Sequence, residues 1–299
     1  MATDASPDAR FRDWATRVVQ WDPARNALKR GAHRYAAARG RLLELRDAVP
    51  EIGNIYAASS PKAGSQWMKA LFDHPVVRAH TGLFTLPQLD YQLERRTFPP
   101  GTFVPGVYTS YPEFQALRAP RPHRVVYMFR DPRDLIVSGY YAAVETHRPT
   151  HLAEVERFRR EIRALPLDAG LLALIRAAAP RLYEIESWIG VRDEAVATFR
   201  LEDIEADPER WVVRMLDHCG VRLSADELAR LLGDVSRSAL QERDLAQREA
   251  GAESHYRVDQ KGFRELFGPE HHQALDEVAP GLVERLGYLD DVTNRARRH

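Results

Sequence analysis

The chain has a single cysteine, Cys219, which excludes intrachain disulfides and thiolate metal clusters. Nothing in it requires an oxidising compartment. The apolar stretch Trp211 to Leu216 just before Cys219 marks it as a small buried residue. No apolar run is long enough to cross a bilayer, and no secretory hydrophobic segment opens the chain. The N-terminus is rich in Ala and Arg, as an organelle transit peptide is, but Asp4, Asp8 and Asp13 oppose that reading. Net charge is also missing: 43 Lys plus Arg balance 43 Asp plus Glu. That balance argues against a general nucleic-acid binder and leaves room for a local basic pocket. Lysine is scarce, four against 39 Arg. The bias reads as a GC-rich bacterial coding preference, and the expected location is the cytoplasm. No Gly-x-x-x-x-Gly-Lys-Ser/Thr motif occurs, so a Walker A nucleotide site is not present. Repeats and low-complexity tracts are absent too.

What remains is a globular composition. The 299 residues are 44% hydrophobic and 29% charged, enough for one substantial core or two small ones. Residues 1–50 are helical in pattern and highly charged. Trp14, Val18, Val19 and Trp21 can dock one helix, and Tyr35, Leu42, Leu43 and Leu45 another. They are expected as an N-terminal cap on a single domain whose body spans 51–299. Strands are predicted at 54–60, 103–109, 124–129 and 195–201, the third being the clearest. Helices are predicted at 66–74, with Pro75 near the end, then from Pro132 to about 146, at 151–164 and at 168–189. Asp207-Pro208-Glu209 starts another, Ser224 to Glu227 a further one by the capping-box rule, and the last runs from Pro269 to about Leu286. Residues 81–101 carry Gly82, Pro87, Pro99, Pro100 and Gly101 and read as loop with a short helix. Strands alternating with helices predict an α/β fold, a central mostly parallel sheet flanked by helices. Ligands of such sheets bind beyond the C-terminal strand ends. Three predicted strand ends carry polar signals: 59–66, 130–134 and 200–203.

The first is Ser59-Ser60-Pro61-Lys62-Ala63-Gly64-Ser65-Gln66-Trp67, between a strand and a helix start. Backbone N–H groups at a helix N-terminus, together with the helix dipole, make an anion cradle. Lys62, one of the four lysines, adds a compact point donor where Arg is the compositional default. The second is Arg130-Asp131-Pro132-Arg133-Asp134-Leu135-Ile136-Val137-Ser138. Arg130 and Ser138 suit a phosphomonoester if the helix folds back along the strand. Equally, Arg130 can pair with Asp134 while Ser138 packs.

Together these segments resemble the PAPS-dependent sulfotransferases. Pro61 to Trp67 is similar to that family's Pro-Lys-Ser-Gly-Thr-Thr-Trp loop, which holds the donor's 5′-phosphosulfate. Arg130 to Ser138, followed by Gly139-Tyr140-Tyr141, resembles its 3′-phosphate segment, and Arg200-Leu201-Glu202-Asp203-Ile204 with Asp207-Pro208 its Arg-Tyr-Glu-Asp-Leu…Asp-Pro segment. Order and spacing agree over roughly residues 52–290. The resemblance implies a three-layer fold related to nucleotide kinases and in-line transfer of a sulfuryl group from PAPS to an acceptor hydroxyl or amine, without metal. The acceptor it implies is a small or lipid-like molecule. It makes Lys62 the cation at the bridging oxygen, and Ala63, Gly64, Ser65, Gln66 and Trp67 the donor-binding loop. There the amides of Gly64 to Trp67 and the Ser65 hydroxyl hold the 5′-phosphate. Gln66 replaces a Thr, and Trp67 is either an adenine stacker or a core aromatic. Arg130 and Ser138 are implied at the 3′-phosphate. Leu201 stands where many members have an adenine-side Tyr, and Arg237, in Val235 to Leu240, where Phe stacks. Arg257, Lys261 and Gly262 match an eroded Arg-Lys-Gly flap. Gly268-Pro269 replaces the Thr-Val of the animal dimer pattern, so nothing supports that dimer.

The base is where the match departs. Cytosolic family members use His in a Thr-His-x-Pro context and other branches use Glu, and here Ser110 takes that position in Tyr108-Thr109-Ser110-Tyr111-Pro112. Either a base comes from elsewhere or the acceptor is acidic enough to need little help. His80 is the first choice, with Glu113, His74, Glu94 and His123 behind it. The acceptor side is expected from the loops at 78–118 and 145–180. There Phe84, Leu86, Tyr91, Phe98, Phe103 and Tyr111 line an apolar cavity or pack an ordinary core. Two other functions stay open: a nucleotide-dependent phosphotransferase on a related fold, and a non-catalytic PAP-binding protein.

Overall fold

The computed structural model describes residues 22–87, 98–146, 153–246 and 261–288. Helix α1 (Asp22–Leu45) precedes β1 (Asn54–Ser59), α2 (Ser65–Phe72), α3 (Pro75–Thr81), β2 (Phe84–Thr85) and β3 (Thr102–Val107). Then come α4 (Tyr111–Ala116), β4 (His123–Phe129), α5 (Pro132–Tyr141), a π-turn over Ala142–Thr146, α6 (Ala153–Arg163), α7 (Leu167–Ala177) and α8 (Ala179–Trp188). The chain continues through β5 (Val196–Arg200), α9 (Leu201–Ala206), α10 (Pro208–His218), α11 (Ala225–Asp234) and α12 (Arg237–Ala246). It closes with α13 (Phe263–Leu266), α14 (Pro269–Val278) and α15 (Leu282–Arg285).

The five strands form one sheet in the order β2-β3-β1-β4-β5, and every pairing is parallel. Such a sheet is covered on both faces, and the alternation of side chains shows it. Tyr56, Ala58, Val125, Tyr127 and Phe129 face one cluster with Leu135, Ile136, Leu171, Ile185 and Trp188. Ile55, Ala57, Val126, Met128 and Phe199 face the other with Met68, Leu71, Val212 and Met215. Adjacent residues of β1 and β4 thus enter opposite layers, as a period of two requires. Helix α1 packs beside Gly82, Phe84 and Gly101: Arg39 donates to the carbonyls of Gly82 and Gly101, and the Tyr35 ring meets Phe84 edge-on at 5.2 Å. Among the described residues no helix is long and apolar enough to cross a membrane.

Several predicted elements change in detail. The 66–74 helix ends at Phe72, because His74 Nδ1 accepts from Val76 N and caps a new helix at Pro75. The 168–189 helix breaks at Ala178, ahead of Pro180, and the last breaks at Ala279-Pro280-Gly281. Leu201 opens α9 instead of ending β5. The two-residue β2 falls in a stretch read as loop. Phe84, Leu86, Phe98 and Phe103, offered as cavity lining, are at most 8% exposed and pack the core. Tyr91 lies outside the described residues.

Candidate donor-binding and active site

The site grows from the C-terminal end of β1. Its pairing with β4 runs in register to Ser59↔Met128, so the chain segments after both strands leave the sheet side by side. The turn after β1 is tight, with Ala63 N donating to Ser60 O at 3.2 Å. Two residues in it are left-handed, Lys62 (φ 74) and Gly64 (φ 82). For Lys62 this is strain of about 1–3 kcal/mol, the kind that collects at functional sites. Gly64 is required twice over. Its φ favours glycine, and a Cβ there would come within 2.6 Å of Met128 Sδ and 3.1 Å of the Leu201 side chain. Leu201 therefore forms the floor under the loop. The first N–H groups of α2 have no intrahelical acceptor; the first helical bond returns from Met68 N to Gly64 O.

Two hydroxyls at the loop entry are buried without partners among the described residues, Ser59 Oγ and Ser60 Oγ. Their residues are 2% and 1% exposed. A buried polar group left unpaired costs about 1–3 kcal/mol, a cost concentrated at this turn. The residues present fit a phosphate-bearing ligand: a left-handed lysine, open amides and orphan hydroxyls at one turn. Ala63 is fully buried and Gln66 exposed. Trp67 spends its indole N–H on Val235 O at 3.1 Å, which ties α2 to the end of α11.

Arg130 follows β4 beside this turn. It makes no hydrogen bond or ion pair among the described residues, and Asp134 Oδ1 instead accepts from Phe263 N at 3.0 Å. Of the two readings of Arg130, the local ion pair is thus not formed. Ser138 is half-buried two turns into α5. Asp131 caps that helix, accepting from Arg133 N at 2.9 Å and pairing with the Arg133 guanidinium at 2.8 Å. The Arg133 guanidinium lies 4.0 Å over the Phe263 ring. These contacts, with Asp134, seat 261–266 on the start of α5, so Lys261 and Gly262 arrive beside the Arg130 segment. Glu202 braces it from below: Oε1 accepts from Asp131 N at 3.0 Å and Oε2 from Tyr288 Oη at 2.6 Å. Burial and this carboxylate push the Tyr288 phenol well above its ordinary pKa. Arg237 is exposed and reaches Glu205 at 3.4 Å. Arg257 lies outside the described residues.

The base candidates do not gather here. His80 precedes β2 by four residues, at the N-terminal edge of the sheet, and its Nε2 is 3.0 Å from Glu227. The length of β1, about 3.3 Å per residue, separates it from the donor loop, so its position does not fit the role expected for it. His74 is a helix cap held by Asp234 at 3.0 Å. His123 starts β4, again at the far edge, with Nδ1 on Pro120 O and its pKa lowered by burial. Glu94 lies outside the described residues. Glu113 is at the correct edge, but it closes a capping box: its Oε2 accepts from Ser110 N, Ser110 Oγ and Thr109 Oγ1 at 2.7–2.8 Å. Those bonds, from Ser110 first, hold its carboxyl below the usual carboxylate range and make it a weak base. The same box takes the hydroxyl of Ser110, itself 3% exposed. Sequence reasoning passed over Tyr108, whose phenol donates to Ser65 Oγ at 2.9 Å, and the two orphan serines. All three lie at C-terminal strand ends, the signal that can find them.

An all-parallel sheet with an anion loop at the switch between β1 and β4 defines a nucleotide-type α/β enzyme fold. The family model described as Sulfotransferase domain matches residues 54–286, and the chain belongs to that family of PAPS-dependent sulfotransferases. No curated protein matches its sequence. Among solved structures, mouse sulfotransferase SULT7A1 complexed with PAP is similar at 16% identity and a TM-score of 0.53, over 82% of this chain and 88% of that one. Retinol dehydratase in complex with retinol and PAP is similar at 15% identity and a TM-score of 0.50, over 77% and 81%. At this identity both show the shared fold.

Proposed function

We propose that the chain transfers the sulfuryl group of PAPS to a hydroxyl or amine of a small or lipid-like acceptor, releasing PAP. The observation that carries this reading is the β1–α2 turn: left-handed Lys62, open amides of α2, and the buried unpaired hydroxyls of Ser59 and Ser60. In this reading PAPS brings an activated sulfuryl group on a phosphate leaving group. Lys62 meets the charge that builds on the bridging oxygen; removing one such preorganised donor costs about 10²–10³ in rate. The amides of Gly64 to Trp67 and the Ser65 hydroxyl hold the 5′-phosphate. Arg130 and Ser138 hold the 3′-phosphate, with Lys261 and Gly262 closing over them. Leu201 floors the loop, and Trp67, fixed by Val235, bounds the nucleotide side. Retinol accompanies PAP in the dehydratase, which supports an acceptor of lipid-like character. The buried, lone Cys219 supports a reducing, cytoplasmic location.

The test is incubation with sulfur-labelled PAPS and a panel of phenols, alcohols and amines in the presence of a chelator. Labelled product that disappears in Lys62→Ala is expected. Turnover that requires Mg²⁺ and ATP would sink the reading in favour of phosphoryl transfer. Tight PAP binding with no transfer to any acceptor would reduce the protein to a PAP binder.

A further inference from the structure

Ser110 and Glu113 are consumed by a helix cap, and the nearest remaining hydroxyl pair is the one between Tyr108 and Ser65. Tyr108 follows Val107, the last residue of β3, at the sheet edge that carries the β1–α2 turn. Its Oη donates to Ser65 Oγ at 2.9 Å. Among the described residues no donor reaches the Tyr108 oxygen, and the Ser65 proton meets no acceptor. The pair is a two-hydroxyl chain open at both ends. One end is the first residue of α2, in the anion loop. The other stands three residues before α4, on the side where Ser110 replaces the expected base.

We propose that Tyr108 and Ser65 form a proton relay from the acceptor to the departing phosphate, in place of an imidazole or carboxylate base. This rests on the donor reading given above. As the acceptor oxygen bonds to sulfur, the bond from sulfur to the bridging phosphate oxygen breaks. Tyr108 takes the acceptor's proton on Oη and passes its own to Ser65 Oγ. Ser65 passes its proton to an oxygen of the departing phosphate. Each hydroxyl ends with the proton count it started with, and neither becomes charged. The sulfuryl group has moved one way and one proton the other.

The test uses full-length protein labelled with ¹³C at tyrosine Cζ, with Tyr108→Phe identifying the resonance. PAP added in the presence of a chelator is expected to shift the Tyr108 signal in the wild type. In Ser65→Ala saturated with PAP the shift should be lost. Tyr108→Phe should still bind PAP by calorimetry, yet lose about 10²-fold or more in kcat. That loss should shrink as the acceptor changes from an aliphatic alcohol to 4-nitrophenol. A Tyr108 signal indifferent to PAP in protein that binds PAP overturns the relay and leaves the donor reading standing. So does a Tyr108→Phe loss that is equally large for the aliphatic alcohol and for 4-nitrophenol. Failure of the wild type to bind PAP overturns the donor reading itself.

Discussion

Two loops leave the same edge of the sheet one strand apart and are built in opposite ways. After β1, the Ser59–Trp67 turn stores strain at Lys62, leaves amides open and buries two hydroxyls without partners among the described residues. After β3, the Thr109–Glu113 turn satisfies itself: Ser110 and Glu113 close a reciprocal cap, and Trp188 Nε1 donates to Thr109 O at 2.8 Å. A turn with unspent donors is organised for a ligand. A turn whose donors are all spent is organised for the fold. The second loop holds the position where the family resemblance implies a base, and its cap occupies both Ser110 and Glu113.

The largest expected effect lies in the frame that both loops share. Asp131→Ala removes the carboxylate paired with the buried Arg133 guanidinium and the cap of α5 and should destabilise the protein by about 3–5 kcal/mol, measured by urea denaturation. Next, Lys62→Ala should lower kcat by about 10²–10³ with little change in stability, because it also relieves a left-handed residue. Arg130→Ala should weaken PAP binding by about 10–100-fold, the worth of one or two charged hydrogen bonds, measured by calorimetry. Ser110→Ala breaks the second loop, not the first. It should cost about 1 kcal/mol of stability through the lost cap while kcat stays near the wild-type value. A large loss of kcat there would erase the contrast between the two turns. The cap has a pH signature as well. The Glu113 carboxyl is lowered in the folded protein, so its contribution is present above the ordinary carboxylate range and fades as the pH falls through the lowered value. The smallest effect is expected for His80→Ala, whose exposed pair with Glu227 lies at the far edge of the sheet; activity and stability should match the wild type.

Much of this contrast is legible in the sequence, and the remainder fails for physical reasons. Strands β1, β3, β4 and β5 stand out as short apolar runs between turn residues, and the order of polar strand ends places the β1–α2 turn and Arg130 together. The breaks at His74, Ala178 and Ala279 are local events, a cap or a proline, inside otherwise continuous helical spacing. The two-residue β2 exists only because β3 offers it an edge. Glu113 shows what a search for a base has to weigh. The spacing Ser110-x-x-Glu113 is a capping-box signature, and it identifies a structural carboxylate before any question of catalysis arises. His80 fails differently: proximity in sequence to the donor-loop helix does not keep it at the same edge, because α2 carries the chain to the opposite end of the sheet. Tyr108 falls inside a matched motif, but its bond to Ser65, 43 residues away, is not visible in the sequence.

The central claim is that the β1–α2 turn and Arg130 form one site for a ligand with two separated phosphates. Calorimetric titration of PAP in the presence of a chelator tests it most directly, comparing the wild type with Arg130→Ala and with Lys62→Ala. The account predicts saturable one-site binding that Arg130→Ala weakens at least about tenfold, and that 3′-dephosphorylated nucleotide reproduces only at that weaker level. Equal affinity of the wild type and Arg130→Ala for PAP, or no preference for the 3′-phosphate, would contradict it.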